Sequence, residues 1–206
     1  MSTKRTPFRR PQQQGRVDGM CAIYAAINAA KFLFDHSEKQ DEALLKHVCT
    51  SCPDLFPSIV FEGTGVKGVR RVLSATANWV QQNHPRSALR FSTPLMRRRF
   101  EEVQPYFDAL RSGIGSSFVH DSRLPTHRPF RASGIWLVGL GTPWDHWTCV
   151  NDFTDRLIMF YDSYGMRKYR HESFTLNPKM AGADVGKKIM IDYHQSFWVQ
   201  RIDSAP

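Results

Sequence analysis

The sequence predicts an α+β domain, a helical first half packed on a mostly antiparallel β-sheet built by the second half. Three observations carry that expectation. Up to Leu110 the apolar residues recur at helical spacing in several segments. After the Gly/Ser-rich stretch RSGIGSS the chain changes to short runs rich in β-branched and aromatic residues, GIWLVGL, HWTCVNDF and RLIMFYDS. The turn signals Gly141-Thr142-Pro143 and Asp152 to Asp155 separate these runs too briefly for crossover helices, so the strands should pair antiparallel. Helices first and strands second is an α+β order, with a cleft expected between the two lobes.

Residues 1–16, MSTKRTPFRRPQQQGR, are basic and polar and contain Pro7 and Pro11. They lack the apolar stretch of a secretory signal and read as a flexible arm ahead of one domain over 17–206. A helix should start after the Asp18-Gly19 turn, with Asp18 capping it and Cys21 in its first turn. Its sequence, CAIYAAINAAKFLF, is apolar on most sides, which suits a buried helix ending near Asp35 and His36. A second helix is expected over 38–49, where Ala43, Leu44, Leu45 and Val48 share a stripe. CPDLFPSIVFEGTG, broken by Pro53, Pro57, Gly63 and Gly65, reads as loop. A helix over 66–83 follows, with Val66, Val69, Val72, Leu73, Ala77 and Val80 on its apolar side. Another is expected over 95–111, with Pro94 near its start and Phe100, Val103, Phe107 and Leu110 facing inward. Residues 117–133, with Pro125 and Pro129, read as an irregular excursion able to line or cover a cleft. KKIMIDY and QSFWVQRID supply two closing strands.

Composition narrows the function classes. Of 206 residues, 41% are hydrophobic and 23% charged, and 14 Phe, 6 Tyr and 5 Trp argue against disorder. No apolar run reaches the roughly 18 residues that cross a bilayer, so no transmembrane segment is expected. The four cysteines, Cys21, Cys49, Cys52 and Cys149, come without a signal peptide and read as free thiols. That points to the cytoplasm, or to secretion by a signal-peptide-independent route. The net charge of +9 gathers in Lys4, Arg5, Arg9, Arg10 and Arg16 of the arm and in Arg97, Arg98 and Arg99. The aromatic residues lie elsewhere, in strand-like segments, which argues against a nucleic-acid surface and for a solvated basic face.

Chemistry concentrates in three residues. A helix N-terminus stabilises a thiolate, the reactive form of cysteine, and Cys21 falls there, just after Gly19, a residue that would let a substrate approach the backbone. His146, in PWDHWTCV, follows 125 residues later at the start of a strand-like run, and Asp162, in MFYDSYG, ends the next run 16 residues on. If the two runs form a hairpin around the Asp152–Asp155 turn, the start of one meets the end of the other. A general base and its orienting carboxylate are then neighbours, as a Cys-His-Asp triad requires. By itself, each residue also has a plain structural reading: Cys21 as a small buried side chain, His146 and Asp162 as a satisfied pair.

On these residues the chain resembles the papain-like cysteine peptidase superfamily. The order Cys, His, Asn/Asp matches, and the spacing is close to the superfamily's. DGMCAIYAAINA, DHWTCV and YDSYG are similar to bacterial effector-type and leader-peptidase-like branches rather than to secreted cathepsins. The resemblance implies a papain-like two-lobe fold with the Cys helix packed on the sheet lobe. It also implies a cysteine protease acting on a protein or peptide substrate through a thioester acyl-enzyme, with no metal and no cofactor. Cys21 takes the nucleophile's position, His146 the base's and Asp162 the orienting position. The superfamily's oxyanion glutamine has Gln14 as its counterpart, one residue out of register, beside the backbone N–H of Cys21.

Alternatives stay open. The same triad serves an acyltransferase or deamidase of transglutaminase type, and a non-enzymatic basic binding module would leave the triad as coincidence. Asp145 adjoins His146, but neighbouring strand residues point to opposite faces; Asp152 would orient the histidine only if its turn folded back. His120, His127, His171 and His194 lack a comparable context, and Asn151 reads as a turn residue. Trp144 and Trp147 flank His146 and either shield it from water or fill the core. Cys49 and Cys52, with His47 nearby, form a single C-x-x-C, too few ligands for zinc, and read as structural.

Overall fold

A computed structural model describes residues 11, 19–115, 118–120 and 130–203. Gln14, Asp18, His127 and most of the basic arm lie outside them, as does much of the 117–133 excursion.

The chain begins with helix α1 (Cys21–Phe34), which ends at Asp35 in the left-handed conformation. Met20 takes its capping position, and its side chain makes no capping hydrogen bond; the cap expected from Asp18 falls outside the described residues. Helix α2 (Glu38–Ser51) starts in a capping box in which Ser37 and Gln40 exchange hydrogen bonds. The segment read as loop folds into a 3-10 turn, Pro53–Leu55, and a one-turn helix α3 (Ser58–Phe61). Helix α4 (Val66–Asn83) buries Val69, Val72, Leu73 and Val80. Strand β1 (Ser87–Ser92) follows, and then helix α5 (Val103–Gly115), with Leu95 to Phe100 outside any helix. The later start of α5 places Pro105 in its first turn, where a missing N–H costs nothing; inside a helix from 95 it would break a hydrogen bond and clash.

The second half supplies β2 (Phe118–His120), β3 (Phe130–Ala132), β4 (Gly134–Leu140), β5 (His146–Phe153), β6 (Leu157–Tyr161), β7 (Lys168–Arg170), β8 (Phe174–Thr175) and β9 (Ile189–Asp203). The main sheet runs β1-β9-β4-β5-β6-β7, all antiparallel, with β8 added parallel to β9, while β2 and β3 pair separately. The two closing strands expected from the sequence are one strand. The polar residues between them lie in a bulge, since the register with β4 jumps from Ser196 opposite Val138 to Asp192 opposite Gly139.

The architecture is α+β, with apolar packing on both faces of one sheet. Alternation along β4 divides the core: Ile135 and Leu137 face α1, α2 and α4, whereas Trp136, Val138 and Leu140 face α5. The expected division into a helical and a sheet half is therefore crossed twice. β1, from the first half, pairs with β9, and α5 covers the other face, its Tyr106 hydroxyl hydrogen-bonded to Ser196 of β9 at 2.9 Å. Helix α1 is sunk among α2, α4, β4 and β5. Ala22, Ala25, Ala26, Ala29 and Ala30 are all buried, and their small side chains let the helix backbone approach the sheet. Cys149 of β5 shows how close that approach is, since its thiol donates to the Ala25 carbonyl at 3.1 Å. No helix of the described residues is long and apolar enough to cross a membrane.

This packing leaves no room for a larger residue on the sheet side of α1. Ala26→Leu is expected to lower unfolding free energy by about 1–3 kcal/mol through overpacking, read from chemical denaturation midpoints at unchanged denaturant slope.

Candidate functional site

The site lies where the start of α1 meets the start of β5. Gly19 leads into α1 and is pinned by α3: its N–H donates to the Val60 carbonyl at 2.7 Å, and a Cβ there would stand 2.8 Å from the same oxygen. The glycine expected to admit a substrate is thus first required by close backbone packing, although it also lines the cleft. Cys21 is the first residue of the helix, and no acidic side chain occupies the first turn. Its amide is among those with no partner within the helix.

The hairpin of β5 and β6 brings the other two residues together. Cys149 pairs with Tyr161, which puts the start of β5 beside the end of β6. His146 Nε2 stands 2.7 Å from Asp162 Oδ1, with both side chains buried. The other carboxylate oxygen accepts the backbone N–H groups of Tyr164 at 2.7 Å and Met166 at 3.1 Å. Gly165, at φ +91°, lets the chain turn tightly enough to aim those amides back. With Nε2 engaged, the other ring nitrogen of His146 is left to face Cys21, which lines the same cleft and helps to hold the imidazole in its charged form, while the thiol itself donates to the Gly19 carbonyl at 3.8 Å.

The electrostatics follow from this enclosure. Burial by itself disfavours imidazolium, but the Asp162 hydrogen bond and then the Cys21 contact outweigh it and push His146 up to about 9. Burial also works to raise Asp162, yet the hydrogen bond and charge of His146, with the Met166 amide, hold it below the usual carboxylate range. The other thiols have no such partner. Burial raises Cys149, Cys49 and Cys52, the second further through its neighbour Cys52, and all four cysteines are free.

Cys21 and His146 open onto a cleft of about 630 Å³, with Asp162 buried behind the histidine. Gly19, Cys21, Glu62 and Gly63 form one wall; Pro143 to His146, Tyr164 to Met166 and Tyr169 form the other. Glu62, Tyr164 and Tyr169 were not singled out from the sequence, though Gly63 and Gly165 beside them mark the turns that carry them. A larger cavity, about 870 Å³, lies around Thr154 to Leu157 at the opposite end of the β5–β6 hairpin from His146.

The remaining candidates separate cleanly. Trp147 is buried and donates to the Thr64 carbonyl at 2.7 Å, so it belongs to the core. Trp144 is 40% exposed on the cleft rim, edge-on to Tyr169. Asp145, at φ +44°, precedes β5 and lines the cleft. Asp152 accepts the N–H of Phe153. Asn151, expected in a turn, sits within β5 where the register with β6 shifts, because the strand continues to Phe153 before turning. His171 is packed against Phe107 and Phe153, and burial lowers its pKa. His194 is exposed and meets the Met96 carbonyl. His47 lies beside Ser51 on the outside of α2. The backbone of His120 is in β2, and Gln14, the oxyanion candidate, falls outside the described residues. Among the described residues no group of three or more His, Cys, Asp or Glu side chains is placed to hold a metal ion.

The shifts carry a pH signature. A raised His146 stabilises the fold fully below pH 6.5, and that contribution is lost as pH rises through about 9. The depressed Asp162 contributes above about pH 4 and its share is lost in acid. NMR titration of the imidazole should therefore find His146 still protonated at pH 7.5, and Asp162→Asn should bring its midpoint down; a wild-type midpoint at or below 6.5 contradicts this. No protein-family model matches the chain, and neither a curated protein nor a solved structure matches it.

Proposed function

We propose that the chain is a cysteine peptidase of papain-like type, hydrolysing peptide or isopeptide bonds with Cys21 as nucleophile, His146 as acid and base, and Asp162 orienting the histidine. One observation carries the reading: a buried imidazole held by a carboxylate on one nitrogen, lining the same open cleft as the thiol at the tip of α1.

The raised pKa of His146 favours imidazolium at neutral pH, so the proton is already on the group that must donate it, and Cys21 reacts as the thiolate, the nucleophilic form of a cysteine. The sulfur of Cys21 attacks the substrate carbonyl, and the backbone N–H of Cys21, without a partner inside the helix, would donate to the oxygen that becomes negative. Collapse of the tetrahedral intermediate breaks the C–N bond, and His146 gives its proton to the departing amine. The neutral imidazole then takes a proton from water as it attacks the thioester, releasing the acid and restoring the thiolate–imidazolium pair. Asp162 stays ionised throughout, holding the ring and stabilising its positive form.

Cys21→Ala and His146→Ala are expected to remove peptide hydrolysis, by at least about 10³-fold, without change in far-UV circular dichroism, whereas Asp162→Ala keeps a small residual rate. Iodoacetamide at pH 6 should modify Cys21 ahead of Cys49, Cys52 and Cys149. Equal reactivity of all four thiols, or full activity in Cys21→Ala, ends the proposal, and amine incorporation in place of amine release redirects it to acyl transfer.

A further inference from the structure

The walls of the Cys21 cleft carry a charge opposite to that of the molecule. The chain has a net charge of +9, yet among the described residues no lysine or arginine lines the cleft. Apart from His146 of the site itself, the charged side chains that line it among the described residues are the carboxylates of Glu62, on the turn after α3, and Asp145, just before β5, one on each wall. Both residues are exposed, and among the described residues neither is paired with a cation. Aromatic surface supplies an independent second feature. Tyr164 is 65% exposed and Trp144 40% exposed on the same rim, although rings of that size are ordinarily well covered. Trp144 is braced edge-on against Tyr169 at 5.5 Å, and Tyr164 leans on the His146 ring at 5.9 Å, so both are held in place without a ligand.

Open aromatic faces between unpaired carboxylates suit a guanidinium or ammonium group, which the rings attract through their quadrupoles and the carboxylates through charge. An acidic side chain would meet repulsion from both walls, and an aliphatic one would leave the carboxylates without a partner. We propose that Glu62, Asp145, Trp144 and Tyr164 select a substrate segment bearing an arginine or lysine side chain next to the bond presented to Cys21. This rests on the peptidase reading and names its substrate class. The long stem of either side chain lies along the apolar ring surface while its charged end reaches the carboxylates.

The test reads protection of Cys21 rather than turnover. Wild-type protein is alkylated with iodoacetamide in the presence of N-acetyl-arginine amide, N-acetyl-citrulline amide or N-acetyl-glutamate amide, and modification of Cys21 is followed by peptide mass spectrometry. The arginine amide should protect at roughly one tenth of the concentration that its uncharged citrulline analogue requires at low ionic strength. The gap should close near 1 M salt, where the Debye length falls to about 3 Å. It should narrow to below about threefold in the Glu62→Gln/Asp145→Asn protein. Equal protection by the arginine and citrulline amides, or protection by the glutamate amide matching that by arginine, overturns the proposal. The wild-type comparison and its salt series decide the matter even if the double variant does not fold. If Cys21 is selectively reactive but indifferent to ligand charge, the substrate class fails and the peptidase reading stands. If Cys21 shows no selective reactivity, the peptidase reading fails with it.

Discussion

Everything at the candidate site depends on a buried carboxylate. Asp162 is only 1% exposed, and a charge removed from water to that degree is costly unless every lone pair is met. Two backbone amides of the turn after β6 meet one oxygen, and His146 meets the other. That arrangement fixes the ring, fixes which nitrogen remains for Cys21 and raises the histidine's basicity. Removing the carboxylate would free the imidazole to rotate and make it a weaker proton acceptor in the same step.

The carboxylate could not act at a distance, and the alanines of α1 supply the proximity. A helix with larger side chains at Ala22, Ala25 and Ala26 would ride farther from β5, and the thiol at its tip would no longer reach the ring at the strand's start. The same closeness explains the hydrogen bond between Cys149 and the Ala25 carbonyl, which ties α1 to the sheet one turn below the site. Gly19 sets the entry to the helix from the other side, through its contact with Val60. Cys21 and His146 therefore come from regular elements packed against each other, while the cleft rim is built from turns: Glu62 and Gly63 on one wall, Trp144, Asp145 and Tyr164 on the other.

Several features were readable in the chain because they depend on local order. The bounds of α4 coincide with the expected helix over 66–83, since Val69, Val72, Leu73 and Val80 recur at the period of a helix and Gly65 and His84 flank them. The β5–β6 hairpin was legible from two apolar runs around a polar turn, and the pairing of its first and last residues then follows from antiparallel register alone. Where reading failed, the missing information was either an overlooked local residue or a distant partner. Pro105 was a local signal that placed the start of α5. By contrast, SALRFS is a short run in which only Leu89-Arg90-Phe91-Ser92 alternates, and it becomes β1 by pairing with the final residues of β9, more than a hundred positions away. The break between KKIMIDY and QSFWVQRID is a bulge against β4, not a turn, because pairing on both sides carries the strand across it.

The sequence by itself determined the secondary structure of most of the chain, the α+β class, and the positions of one thiol, one imidazole and one carboxylate, since these depend on residue identity and spacing. Only the tertiary structure decided that the thiol and the imidazole line one cleft, that the sheet is covered on both faces, and that Glu62, Asp145, Trp144 and Tyr164 share that cleft. Glu62 and Tyr164 stand 102 residues apart in the chain. No periodicity links positions so far apart; α3 and the turn after β6 face each other only because α1 is packed into the sheet between them.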